Sequence, residues 1–280
     1  KLFRTCLENN AVAFAIHHSF SNEMLLDFSK IATRAYRGKP TVILAAKTAV
    51  LFSPMDFRFL NFLAFRRCTQ GRVKSGSHFD DQYTEWKIPK KNGGDREIAS
   101  PNNNLKRLQR RIMESLSSYS EVHSAVHGFV PKRGIRSNAS EHVGKKIVAN
   151  VDIASFFPST NRKMVFEALL RESHLPADVC GFIAEICLRK GGLPAGAPTS
   201  PILGNLVLKK FDEVMTKTAK GSDACYTRYA DDITISGDDK IGGLIWFADK
   251  LLNRSGYSLN KKKTNFFRRG RRQMVTGLSV

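Results

Sequence analysis

The sequence has few cysteines, no long hydrophobic run and a shortage of acidic residues, and each scarcity excludes a class of protein. Five cysteines are scattered through the 280 residues and none forms a Cys-x-x-Cys pair, so no zinc or redox site of that type is predicted. No uninterrupted apolar stretch is long enough to span a membrane, and the first twenty residues lack a signal-peptide layout. We therefore expect a cytoplasmic protein with reduced thiols and no membrane partner.

Basic residues greatly outnumber acidic ones. The chain has 45 Lys and Arg against 25 Asp and Glu, which leaves a formal net charge of +20. A compact chain with this surplus repels itself unless it binds a polyanion, so nucleic acid is the first partner to expect, ahead of an anionic membrane. Because 42% of the residues are hydrophobic, the chain can bury a sizeable core, and a disordered protein is excluded.

Hydrophobic periodicity alternates between helical and strand-like segments, which predicts an α+β fold whose antiparallel strands carry acidic residues. Helical spacing occurs over residues 23–68, 105–116, 162–172, 177–189, 200–215 and 241–252. Strand-like runs occur over residues 83–98 (as a hairpin), 146–153, 224–229 and 233–236. Ser200 and Pro201 are predicted to cap and open their helix. Residues 274–280 are typical of a strand cut short, so we expect the chain to be a fragment.

Three aspartates stand at the ends of the predicted strands. Asp152 lies near the end of the run 146–153, and Asp231 and Asp232 separate the runs 224–229 and 233–236. If these strands lie side by side, the carboxylates meet, and hard divalent ions require such oxygen ligands. Two ions about 4 Å apart can drive phosphoryl transfer to a hydroxyl. Taken alone, an Asp-Asp pair in a hairpin is more often a solvated turn, so the flanking residues decide.

The flanking residues resemble the reverse transcriptase family at three places, in that family's order. Residues 229–232 (Tyr-Ala-Asp-Asp) resemble its Y-x-D-D box, residues 151–159 its first palm motif, and residues 192–201 its template-side loop. The resemblance runs from about Trp86 to Val280. It implies a right-hand-like polymerase core with fingers and palm, an antiparallel palm sheet flanked by helices, and a thumb largely absent from this chain.

The same resemblance implies a division of the chain. A helical N-terminal region would occupy residues 1–76, the fingers residues 77–145 and the palm residues 146–280, with residues 176–200 partly in the fingers.

Two shorter motifs narrow the family. Asn138 and His142 resemble the N-A-x-x-H signature of bacterial retron reverse transcriptases, and Val275, Thr276 and Gly277 resemble their V-T-G element. A histidine one turn after an asparagine is more often an ordinary helix-surface residue, so the motifs carry weight only together. They favour a retron enzyme. A group II intron-like or other bacterial reverse transcriptase stays open, as does a catalytically inactive RNA-binding scaffold.

The resemblance assigns roles around the aspartates. Asp152, Asp231 and Asp232 would hold two Mg²⁺ ions, for which Mn²⁺ can substitute, and the carbonyl of Ile153 would be an extra ligand. Phe157 falls where the family places the bulky side chain that excludes a nucleotide 2′-hydroxyl. The alternative for Phe157 is an ordinary core aromatic.

Further roles concern the incoming nucleotide. Lys90 and Arg96 fall in the predicted hairpin where fingers residues grip the triphosphate, although a solvated turn is the alternative. Ala195 and Gly196 belong to the template-side loop, where Ala195 replaces the family's usual Gln, so any contact of that amide is absent. Lys263, in a segment that resembles a later palm motif, is the candidate to protonate the pyrophosphate leaving group.

A basic segment near the C-terminus contains no acidic residue, which predicts contact with backbone phosphates through Arg268, Arg269, Arg271 and Arg272. The resemblance implies that the partners are a structured non-coding RNA and its DNA copy, with deoxynucleoside triphosphates as substrates. It further implies a branched RNA–DNA product (msDNA), and an effector protein encoded nearby that acts with the enzyme in phage defence.

Overall fold

A computed structural model describes residues 80–280 except 91, 92, 174, 176, 239 and 240. The predicted helical region at residues 1–76 and the turn residues Lys91 and Asn92 lie outside the described residues. The chain divides into two compact units. The first runs to residue 115 and adds residues 175–190 and 196–198; the second comprises residues 116–174, 191–195 and 199–280. The fingers and palm boundaries given above stay a prediction.

Helices and strands alternate along the described chain. In order they are β1 (Tyr83–Pro89), β2 (Asp95–Pro101), α1 (Asn103–Tyr119), α2 (Ile135–Ser140), β3 (Ile147–Asp152), α3 (Phe156–Ser159), α4 (Arg162–Glu172), α5 (Ala177–Cys187), α6 (Ser200–Lys220), β4 (Cys225–Tyr229), β5 (Asp232–Gly237), α7 (Ile241–Arg254), β6 (Asn265–Arg268), β7 (Met274–Val275) and β8 (Leu278–Ser279). Short 3₁₀ turns occupy Asp80–Gln82 and Lys261–Lys263.

The first unit contains the predicted hairpin. Strands β1 and β2 pair antiparallel, with Ile88 opposite Arg96. The carboxylate of Glu85 on β1 binds both Arg189 and Lys190, and these contacts hold the pKa of Glu85 down at about 2. The hairpin is therefore fastened to the segment that follows α5.

The second unit is built on a four-stranded sheet in the order β4-β5-β3-β6, and all three strand pairs are antiparallel. Side chains alternate across a strand, so residues two apart share a face. Ile233 and Ile235 on β5 are fully buried, and they share one hydrophobic core with residues of α6 and α7. The predicted α+β class, with an antiparallel sheet flanked by helices, is confirmed.

Helices α6 and α7 contribute to this core through residues spaced three or four apart, which lie on one helical face. The contributing side chains are Leu208, Phe211 and Met215 of α6 and Leu244, Ala248 and Leu252 of α7. Packing against this layer fixes the strands whose ends carry the aspartates.

Two local predictions were wrong. Thr199, not Ser200, is the N-cap of α6, and Pro201 lies within the first turn. Residues 274–280 form the β7–β8 hairpin, not one strand, because Thr276 (φ 45°) and Gly277 (φ 86°) both adopt the left-handed conformation of a tight hairpin turn. Among the described residues, no helix combines the length and the apolar character needed to span a bilayer.

Candidate active site

The sheet register brings Asp152 and Asp232 together. Asp152 ends β3, Asp232 begins β5, and the two are directly opposed in the antiparallel pair. Residues opposed in this way have Cβ atoms about 5 Å apart on one face of the sheet. The backbone N–H of Ile153 donates to the carbonyl of Asp231 at 3.0 Å. All three predicted aspartates therefore lie at the same end of the sheet.

The turn between β4 and β5 is tight and braced. Ala230 is buried and has a φ of 58°, an uncommon conformation for a residue with a Cβ. Its carbonyl accepts a hydrogen bond from Nη1 of Arg228 at 2.9 Å. A buried guanidinium thus holds the backbone that presents Asp231.

Arg228 is itself held by a buried network. Its Nε and Nη2 donate to the two carboxylate oxygens of Asp212 at 2.8 and 2.6 Å, and its Nη1 donates to Oδ1 of Asn205 at 3.1 Å. The Tyr226 hydroxyl donates to Asp212 at 2.6 Å. Burial alone would lower the pKa of Arg228, but the contact with Asp212 outweighs burial and raises that pKa above its ordinary value.

Sequence reasoning did not identify this network. The available signal was one charged residue in the buried part of each of two elements, since Arg228 lies in a strand whose other residues are uncharged and Asp212 follows Phe211 in the core-facing part of α6. Charged side chains are almost never fully buried unless they are paired.

Two side chains from the segment before β6 contact the Asp152 carboxylate. Nζ of Lys263 donates to Oδ1 at 2.8 Å, and Nδ2 of Asn260 lies 3.4 Å from Oδ2. The hydrogen bond to Asp152 raises the pKa of Lys263 above its ordinary value; slight burial opposes this, and the charges of Asp231 and Asp232 add to it. All three carboxylates therefore stabilise the charged form of Lys263.

The donor set has the ligand chemistry of a hard divalent cation site, but its side chains are not arranged as one. It offers only carboxylate oxygens, which Mg²⁺ prefers, and the Lys263 ammonium already places a positive charge on Asp152. Within the described residues, no group of three or more His, Cys, Asp or Glu side chains is arranged to hold a metal ion.

Phe157 lies just beyond Asp152, on the short helix α3. Its ring is half-buried and packs on Phe156 at a centroid distance of 5.1 Å. Phe156 in turn lies against Gly204 of α6, where an added Cβ would come within 3.0 Å of the Phe156 ring. The contact with Phe156 therefore fixes one side of the Phe157 ring, and part of the ring stays exposed.

The first part of the loop at residues 192–201 docks on α3. The N–H of Leu193 donates to the Phe157 carbonyl at 2.9 Å, and a Cβ at Gly192 would lie 2.3 Å from the Pro158 carbonyl oxygen. Only glycine fits this approach. The Ser200 hydroxyl donates to the Pro194 carbonyl at 2.7 Å and holds the other side of the loop.

The residues of the predicted N-A-x-x-H signature are buried, which overturns the alternative that His142 is an ordinary helix-surface residue. His142 Nδ1 and Nε2 lie 2.7 Å from the hydroxyls of Ser236 and Thr227, on β5 and β4. Burial, followed by the nearby His127 and Lys145, lowers the pKa of His142 to about 4. His142 therefore links two strands as a neutral ring.

The two predicted signature motifs meet in space. Nδ2 of Asn138 lies 3.4 Å from the Thr276 hydroxyl, and Val275 packs in a small cluster with Ala139 and Val148. The β7–β8 hairpin is thus joined to α2 and β3 by residues from both motifs.

The remaining predicted site residues are distributed over the two units. Lys90, Arg96 and Gly196 belong to the first unit and are exposed. Ala195 lies in the second unit and is partly buried. The exposed arginines of the basic segment also lie in the second unit; they are Arg268, Arg269, Arg271 and Arg272. Nε of Arg272 donates to the Ser279 hydroxyl at 2.9 Å.

Comparison with known proteins finds relatives among curated reverse transcriptases. Two curated relatives are the retron Mx65 and retron Mx162 reverse transcriptases of Myxococcus xanthus. The Mx65 enzyme is 35% identical over 217 residues, which cover 71% of this chain and 51% of that relative. The Mx162 enzyme is 34% identical over 251 residues, which cover 79% of this chain and 50% of that relative. The chain spans about half the length of these relatives. The predicted resemblance to retron enzymes is confirmed.

A solved structure supports the fold alone. Apo telomerase from Candida tropicalis, truncated from its C-terminal domain, matches with a TM-score of 0.54 at 13% identity, over 80% of this chain and 58% of that one. Residues 88–278 match the family model described as reverse transcriptase (RNA-dependent DNA polymerase). The chain, with its aspartates gathered at one end of an antiparallel sheet, belongs to the reverse transcriptase family.

Proposed function

We propose that the protein is an RNA-directed DNA polymerase of the retron type. The observation that carries the proposal is the cluster of three carboxylates at one end of the sheet. Asp152 and Asp232 are directly opposed, Asp231 adjoins them, and the Lys263 ammonium group interacts with all three. The names of the relatives support the retron assignment, as does the contact between Asn138 and Thr276.

Asp152, Asp231 and Asp232, with the Ile153 carbonyl, are the proposed ligands of two Mg²⁺ ions, or of Mn²⁺ in their place. When bound, such ions supply activation of the attacking hydroxyl and stabilisation of the leaving pyrophosphate. Lys263 is proposed to give a proton to the pyrophosphate. The Lys263 side chain carries the proton at neutral pH, and its contact with Asp152, which raises its pKa, makes it a weaker acid until that contact is released.

The substrates are proposed from the side chains available to hold them. Lys90 and Arg96 would bind the triphosphate of a deoxynucleoside triphosphate through charge-assisted hydrogen bonds, and Ala195 and Gly196 would adjoin the nucleotide. Phe157, fixed by Phe156, would exclude the 2′-hydroxyl of a ribonucleotide. The four exposed arginines of the basic segment would contact RNA phosphates.

The proposal extends to the biology implied by the retron relatives. The enzyme would copy part of its own structured non-coding RNA into a branched RNA–DNA (msDNA), in the cytoplasm, and would work in phage defence with an effector protein encoded nearby. RNA that copurifies with the full-length protein tests this part. A small branched RNA–DNA species supports it, whereas an intron RNA would assign the enzyme to the group II intron type.

Primer extension tests the activity itself. The full-length protein should extend a DNA primer on an RNA template with deoxynucleoside triphosphates and Mg²⁺, and Asp231→Asn/Asp232→Asn should abolish extension. A wild-type protein that binds RNA without extending any primer would be an RNA-binding scaffold, and the proposal would fail.

A further inference from the structure

An exposed aromatic residue lies beside the turn that carries the aspartates. Phe129 is 54% exposed, and its ring centroid lies 6.4 Å from that of Tyr229, with the planes inclined by 38°. Tyr229 ends β4 and is followed directly by Ala230 and Asp231. The solvent-facing ring of Phe129 therefore extends the aromatic surface of Tyr229 next to the candidate active site.

Stability does not account for a phenylalanine at this position. Phe129 has a φ of 60°, in the left-handed region that is unfavourable for a residue with a Cβ and that glycine adopts readily. Its side chain is largely outside the core, so burial does not offset the strained backbone. Strain of this kind persists where the surrounding structure imposes it, and it is concentrated at functional sites.

The backbone before Phe129 is fixed against the turn. A Cβ at Gly128 would lie 2.5 Å from the Ala230 nitrogen, so the two backbones are in direct contact. Nδ2 of Asn205 donates to the Gly128 carbonyl at 3.1 Å, and the N–H of His127 donates to the Arg228 carbonyl at 2.8 Å. Phe129 thus has a defined place relative to Asp231.

The chain after Phe129 is also held in place. Nη1 of Arg133 donates to three backbone carbonyls, at 2.8 Å to His123, 3.1 Å to Ser124 and 2.7 Å to Val126. The start of the Phe129 loop (residues 128–136) is therefore fastened to the turn that carries Asp231, and Arg133 fastens the later part of the loop to residues 123–126.

The charge of the Phe129 loop matches a polyanion. Lys132 and Arg136 are exposed, and the segment 128–140 contains no Asp or Glu. Exposed aromatic rings flanked by cations bind single strands of nucleic acid, because bases stack on the rings and phosphates pair with the cations. An acidic protein partner has the same charge but no bases to stack on an aromatic surface.

We propose that Phe129 and Tyr229 together contact the terminal nucleotides of the strand that is extended, and that Lys132 and Arg136 contact its phosphates. This inference rests on the proposed polymerase function. A binding role for Phe129 explains why a phenylalanine occupies this strained and exposed position.

The test separates binding from stability by replacing Phe129 with the residue that its backbone favours. In the full-length protein, Phe129→Gly should leave the Tm unchanged or raise it, while the KM for the primer–template rises about tenfold, the scale of one lost base–aromatic stack. The KM for deoxynucleoside triphosphate should stay the same. Phe129→Trp should keep the wild-type KM for the primer–template.

Trp246→Ala is the matched control, because Trp246 is 64% exposed and lies on α7, outside the loop. Its KM for the primer–template should equal that of the wild type. If Phe129→Gly leaves the primer–template KM unchanged in an enzyme whose wild type extends primers, the inference is wrong and the polymerase proposal stands. A fall in Tm with Phe129→Gly would also overturn it, since the ring would then be structural. If the wild type extends no primer, the polymerase proposal fails and takes this inference with it.

Discussion

The neutral state of His142 makes the stability of the fold depend on pH. His142 is fully buried and lies between the hydroxyls of Ser236 and Thr227. Burial disfavours its charged form, so the pKa falls from an ordinary 6.5 to about 4. The unfolded chain therefore binds a proton at a pH where the folded chain does not. The stabilisation from a neutral His142 is complete above about pH 6.5 and is lost as the pH falls towards 4.

The size of the effect follows from the two pKa values. A difference of one pKa unit corresponds to about 1.4 kcal/mol, so a shift from 6.5 to about 4 corresponds to about 3 kcal/mol in all. Of this, about 2 kcal/mol is lost between pH 7 and pH 5 by the same linkage. His127, whose pKa burial also lowers, adds to the loss in the same direction.

Urea unfolding at pH 7, 6 and 5 measures this loss in the wild type and in His142→Gln, which cannot titrate. The free energy of unfolding should fall by about 2 kcal/mol more in the wild type than in the variant. Ser236→Ala is the matched control: it removes one partner but leaves the histidine buried, so its pH dependence should stay close to that of the wild type. Equal pH slopes for the wild type and His142→Gln would refute the reasoning.

Three further outcomes are expected from the site. Arg228→Met leaves the Asp212 charge buried without its partner and should destabilise the fold by about 3–5 kcal/mol in urea unfolding. Arg228→Met/Asp212→Leu should regain most of that stability but little extension activity, because the Ala230 carbonyl still lacks its donor; recovered activity would show that the network only fills space. Phe157→Ala should raise incorporation of ribonucleotides relative to deoxyribonucleotides in single-nucleotide extension, and unchanged discrimination would remove Phe157 from the sugar contact. Arg271→Gln/Arg272→Gln should reduce the slope of log K for RNA binding against log salt by about 1.4, since two fewer phosphate contacts release fewer counterions. The control Lys217→Gln/Lys220→Gln removes the same charge from the end of α6, and an equal change there would mean that net charge alone sets the slope.

Much of the fold could be predicted because local pattern and tertiary structure agree. The apolar run that became β3 and the two runs around Asp231 and Asp232 are strands in the structure, and helix α4 has the predicted bounds, Arg162–Glu172. Strand ends were also the right place to look for the aspartates. In the structure, the antiparallel register of β3 and β5 opposes Asp152 to Asp232.

The contacts that hold the site could not be predicted, because their partners are far apart in the chain. His142 meets Ser236 and Thr227 across 94 and 85 residues, and no local periodicity carries that information. Lys263 reaches Asp152 across 111 residues, although sequence reasoning had already singled out both residues. Each of these contacts depends on which strands become neighbours, which a single sequence does not reveal.

The C-terminal hairpin was missed for a different reason. Thr276 is β-branched, and its left-handed φ of 45° runs against the conformation that its side chain prefers. The hydroxyl of Thr276 lies near Nδ2 of Asn138, and Val275 is fully buried in the adjoining cluster. Tertiary contacts therefore accompany a turn that local propensity disfavours.

The most direct test of the central claim is primer extension on an RNA template by the full-length protein, measured with Mg²⁺ over a range of concentrations. Asp231→Asn/Asp232→Asn and Asp249→Asn are assayed beside the wild type. Asp249 is the control because it is a partly buried residue of α7 that lies outside the site. The wild type and Asp249→Asn should both show Mg²⁺-dependent extension, and the double variant should show none at an unchanged Tm. Extension that survives in the double variant would place the catalytic centre elsewhere and contradict the account.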